Sequence, residues 1–69
     1  MNEHERTIKS GINDPQVGTV TSVRGSVVDA SFPGKLPPLH NLLRTGDDGR
    51  IVIEVITHLN SEMVRGIAL

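Results

Sequence analysis

The sequence predicts an all-β fold, a small antiparallel β-barrel, on three observations. Val, Ile and Thr gather in short runs from Val17 onward, the composition of strands rather than helices. Turn signals interrupt these runs roughly every eight to twelve residues, the spacing of small sandwiches and barrels. No segment carries a helical period long enough to form a convincing helix.

Residues 1–16 precede the first run and are mostly polar, with Ile8 and Ile12 as their only branched apolar side chains. They are expected to form a mobile, disordered N-terminal tail. A helix carrying Ile8 and Ile12 on one face is the alternative, limited to about two turns by Gly11 and Pro15. The barrel is then expected over residues 17–69.

"VGTVTSV" and "SVVDASF" give the first two strands, joined at Arg24 and Gly25, where Gly25 can take the positive φ of a tight hairpin. In the second, Val28, Ala30 and Phe32 fall on the core face, while Val27, Asp29 and Ser31 fall on the other, with Asp29 pointing to water. "LPPLHNLL" follows. Pro37 and Pro38 exclude a helix and make a stiff corner that launches a strand near Leu39 to Arg44.

The Asp-Gly pair in "TGDDGR" turns the chain into a strand from Ile51 to Leu59. That strand is apolar on two faces: Ile51, Ile53 and Val55 on one, Val52 and Ile56 on the other, interrupted by Glu54 and His58. Such a pattern predicts cover on both sides, from the same chain or from a subunit contact. "NSE" reverses the chain into "MVRGIAL". The expected core is Val20, Val28, Ala30, Phe32, Ile53, Val55, Val64 and Ile67.

A chain of 69 residues makes one domain of modest stability, and with no cysteine it has no disulfide to reinforce it. The lack of cysteine, of a signal-peptide core and of a spanning apolar run leads to the expectation of a soluble cytoplasmic protein without direct membrane insertion. Net charge is −1 and Phe32 is the only aromatic among Phe, Tyr and Trp. A nucleic-acid partner is therefore not expected, since neither a basic stripe nor a stacking platform is available.

No catalytic, cofactor-binding or metal-ligating residue is expected. Lys35 follows Gly34, but Pro33 and the later prolines deny "PGKLPP" the free donors and the helix of a phosphate loop. His4, His40 and His58 are scattered, without metal-ligand spacing. Asp47 and Asp48 occupy a turn tip, where carboxylates are solvated, and they do not match a calcium loop.

Taken together, "GTVTSVRGSVVDASF", "LPPLHNLL", "IVIEVITHL" and "MVRGIAL" resemble the N-terminal region of the beta subunit of rotary F-type ATP synthases. The resemblance runs from Gly18 to Leu69. It implies a barrel that packs with neighbouring alpha-subunit barrels in a ring, holding the alpha/beta hexamer of a proton- or sodium-translocating machine peripheral to a membrane. It further implies a longer parent subunit that binds ATP or ADP and Mg²⁺ and carries the catalysis elsewhere.

Because the family continues with another barrel strand beyond the position of Leu69, this chain is expected to lack its last strand. An open edge would follow, and with it dimerisation or strand exchange. The competing expectation is a free-standing binding module that acts by strand addition at such an edge. A stand-alone enzyme is a third reading, for which the sequence offers no assembled site.

Overall fold

Alternation of apolar and polar residues, closed on itself, produces the architecture. The computed structural model describes residues 6–11, 13 and 15–69. It contains β1 (Thr7–Ser10), β2 (Gln16–Arg24), β3 (Val27–Ser31), β4 (Leu42–Thr45), β5 (Ile51–His58) and β6 (Met63–Ala68). All pairings are antiparallel, and the order β1-β2-β3-β6-β5-β4 closes as a barrel. The all-β barrel is the fold expected from the sequence.

The N-terminal residues differ from that expectation. Thr7 to Ser10, expected within a disordered tail, forms β1 and pairs with both β2 and β4. Ile8 is wholly buried, and Thr45 Oγ1 donates to the Thr7 carbonyl at 2.7 Å. Long-range partners order a segment whose own composition is too polar to signal a strand. The parts of the tail expectation that fall on residues 1–5, 12 and 14 lie outside the described residues.

Closure differs as well. The barrel does not lack a strand: β1 fills the gap between β2 and β4, so each of the six strands has two neighbours. The open edge on which dimerisation, strand exchange and strand addition were expected is absent from this closed sheet. Closure satisfies the ladder donors and acceptors that an edge would leave free.

Eight apolar side chains fill the interior: Ile8, Val28, Ala30, Phe32, Leu43, Ile53, Val55 and Val64. Val20, Leu36 and Ala68 pack against them from the margins. Ile67, expected inside, instead lies on the outer face. It is in register with Val27 and Glu54, whereas Val64, Gly66 and Ala68 of the same strand turn inward.

Close approach explains two glycines. A Cβ on Gly18 would meet the Ser31 carbonyl oxygen at 2.5 Å and the Phe32 ring at 2.7 Å, so the bare backbone of β2 gives the one large aromatic its place. On Gly66 a Cβ would meet Ile53 at 2.5 Å and the Glu54 carbonyl oxygen at 2.7 Å. The shape of the core therefore depends on two absent side chains as well as on eight present ones.

The proline corner docks rather than simply turning. Pro37 is buried, its carbonyl lies 2.8 Å from His58 Nε2, and the chain then turns so that Asn41 N donates to the Pro38 carbonyl at 3.2 Å. His40 N donates to Val55 O and Val55 N to Asn41 O, extending the pairing with β5 before β4 formally begins. The strand expected from Leu39 thus starts at Leu42.

Candidate functional site

Side chains on the outside of the barrel can be ordered from the register alone. Across β4, β5, β6 and β3, one row runs Leu42, Glu54, Ile67, Val27. Next to it, Leu69 N donates to Val52 O, setting Leu69 beside Val52, which itself faces Arg44 across β4. A bulge between Val55 and Thr57 adds Ile56 just beyond Glu54.

These rows make a contiguous apolar outer face. Leu42 is 49% exposed, Ile56 43% and Leu69 76%, while Val27, Val52 and Ile67 are half-buried. Val17, also exposed, stands away from this face and is opposite Lys9 across β1 and β2. Clustered apolar surface is where proteins commonly meet another protein, a membrane or a ligand. It also accounts for the two-sided apolarity of Ile51 to Leu59, whose inner face fills the core.

Glu54 sits within this face with apolar neighbours on four sides: Leu42 and Ile67 across the strands, Val52 and Ile56 along its own. Its Oε2 lies 3.0 Å from His40 Nδ1. His40 has φ 71°, the only positive φ outside glycine among the described residues. Left-handed backbone is unfavourable for a side chain of this size, so the corner holds the imidazole over Glu54 at a local cost.

Beside the apolar face lies a charged cluster. Asp29 points outward as expected, but it is not solvated: it is only 7% exposed. Arg65 covers it with Nε at 2.8 Å from Oδ1 and Nη2 at 3.1 Å from Oδ2, and Arg24 approaches Oδ2 at 3.6 Å. The hydrogen bonds from Arg65 hold the Asp29 carboxyl below its usual range, outweighing the opposing effect of burial, and Arg24 adds to the lowering. Asp29 and Arg65 are cross-strand partners on β3 and β6, which makes the cluster a clamp on that pairing.

The residues weighed for chemistry do not converge. His4 lies outside the described residues, and His40 and His58 have separate partners in Glu54 and Pro37. Asp48 pairs with Arg50 at 2.6 Å. Asp47 and Asp48 line an open cleft of about 340 Å³ together with Lys9 and Arg44, a mixed-charge groove at the β4–β5 turn. The Lys35 carbonyl accepts from the Gln16 side-chain amide, and Gly34 takes φ 96° as a turn residue. Among the described residues, no three His, Asp or Glu side chains gather as a metal site.

Comparison with known proteins gives a consistent result. Residues 20–69 match the family model described as ATP synthase alpha/beta family, beta-barrel domain. The ATP synthase subunit beta 1 of Marinomonas sp. (strain MWYL1) is 53% identical over 58 residues, covering 77% of this chain and 12% of the relative. The ATP synthase subunit beta 2 of Chlorobium luteolum is 52% identical over 52 residues, 75% of this chain and 11% of the relative. For Syntrophotalea carbinolica, the subunit beta 2 is 54% identical over 52 residues, 75% of this chain and 11% of the relative. The chain thus spans about an eighth or less of the length of these relatives. No solved structure matches it. No helix among the described residues is long and apolar enough to cross a membrane.

Proposed function

The chain belongs to the ATP synthase alpha/beta family through its beta-barrel domain, and from that premise we propose that it is a structural and assembly module. Its barrel packs against barrels of neighbouring alpha subunits in a ring that holds the alpha/beta hexamer of a proton- or sodium-translocating rotary ATPase. In this reading the module is cytoplasmic and peripheral to the membrane. Binding of ATP or ADP and Mg²⁺, and the catalysis, belong to other parts of a full-length beta-type subunit.

The observation that carries this reading is the contiguous outer face formed by Leu42, Val52, Ile67, Val27 and Leu69. A collar needs rigid units that adhere to one another. A closed barrel supplies the rigidity, and an apolar face beside a polar cluster supplies adhesion with a polar rim.

The test is assembly of the subunit that carries this barrel, purified with its partner subunits, after Leu42→Asp or Ile67→Asp. Both positions lie on the outer surface, so the barrel should fold while the hexamer fails to form or falls apart. Normal yield of intact hexamer from both variants would refute the choice of face.

A further inference from the structure

Glu54 does not suit a face that merely excludes water. Docking an apolar surface over Leu42, Ile67, Val52 and Ile56 would remove solvent from a carboxylate whose side chain is now 34% exposed and whose recorded partner is a single imidazole nitrogen. A carboxylate dried in this way opposes association unless a cation meets it. His40 meets one oxygen only, and the two arginines nearest this face do not reach the other. Arg65 is committed to Asp29 on the next row, and Arg44 stands across from Val52 without an ion pair to Glu54.

His40 gives an independent reason to regard the carboxylate as positioned rather than incidental. The strained φ of 71° occurs at the end of the proline corner, where His40 N is fixed to the Val55 carbonyl at 2.7 Å, one residue from Glu54. From this anchored backbone the largely exposed imidazole meets one oxygen, Oε2, at 3.0 Å. The hydrogen bond holds the carboxylate in place and leaves Oε1 for another donor.

Resting on the reading of this face as a subunit contact, we propose that its partner is a neighbouring barrel surface that is apolar around one projecting arginine or lysine, which pairs with Glu54. His40 is the positioning residue for that pair. Leu42 and Ile67 supply adhesion, and Glu54 fixes the register and rejects neighbours that bring an acid to the same place.

The experiment uses the full subunit complex and compares Glu54→Gln, Glu54→Lys and His40→Gly with Leu42→Asp. Hexamer dissociation is followed by native mass spectrometry across a series of salt concentrations, and thermal unfolding checks that each barrel is intact. The expected result is a loss of affinity of about 30-fold or more for Glu54→Gln. A larger loss is expected for Glu54→Lys and a smaller one for His40→Gly. Salt sensitivity of the wild type should be reduced in Glu54→Gln. If Leu42→Asp disrupts assembly while Glu54→Gln and Glu54→Lys do not, the face stands and the cationic partner is overturned. If none of the four affects assembly, both the face and the pairing are overturned.

Discussion

Replacing Ile8 by Ala tests whether the short N-terminal strand is part of the barrel's cooperative unit. Ile8 is wholly buried on β1, between Gly18 of β2 and Thr45 of β4 in register. The substitution removes three carbons, worth about 2.4 kcal/mol at ~0.8 kcal/mol each, and leaves a cavity that raises the cost. A loss of about 3 kcal/mol is expected. A domain of this length is held by roughly 3 to 10 kcal/mol, so the loss is a large part of the total. Urea and thermal unfolding of the 69-residue chain would read it, with a fall in Tm of roughly 12 to 24 °C. Lys9→Ala, one position along the strand and facing outward, serves as the control and should change stability by less than about 0.5 kcal/mol. If Ile8→Ala behaves like Lys9→Ala, β1 does not close the barrel and the fold described above is wrong at that point.

Three further outcomes follow from the geometry. Gly66→Val should cost about 2 kcal/mol or more, because its Cβ would meet backbone of β5 as well as Ile53; unchanged urea unfolding would contradict the close strand approach. Asp29 has a lowered carboxyl pKa in the folded state, so its stabilising contribution is complete above the unfolded value of 3.8 and is lost as pH falls below it through the folded value. Asp29→Asn should therefore flatten that part of the pH–stability profile, and a profile identical to wild type would refute the clamp. His40→Gly should leave the stability of the free barrel unchanged or raise it by up to about 1 kcal/mol, since glycine takes φ 71° without strain; a clear loss on thermal unfolding would contradict the strain at the corner.

Much of the barrel was legible because its strands carry their own pattern. Val28, Ala30 and Phe32 alternate with polar residues, and the Asp-Gly turn marks the start of β5. β1 was not legible. Four residues, Thr7 to Ser10, with one branched apolar side chain become a strand only because β2 and β4 present free ladder groups on either side. Ile67 shows where the pattern misleads: Val64 and Ile67, both expected inside, are three apart and cannot share a face of a regular strand, and Gly66, packed under Ile53 and Glu54, falls with Val64 on the inner side.

The outer face was half legible. Two-sided apolarity in Ile51 to Leu59 pointed to cover on a second side, but the row that joins Leu42, Glu54, Ile67 and Val27 exists only once four strands are in register. His40 was weighed as a metal ligand, whereas its significance lies in a backbone angle and in a partner fourteen residues away. Asp29 was read as solvated because Arg65, which covers it, is distant in sequence.

The most direct measurement is hydroxyl-radical footprinting of this barrel, free and within the assembled subunit complex, with labelling quantified residue by residue. An assembly role through the β4–β5–β6–β3 face predicts that Leu42, Ile56, Ile67 and Leu69 lose labelling on assembly while Val17, on the opposite side at β2, keeps it. Unchanged labelling of those four residues, or protection confined to Val17, would contradict the account.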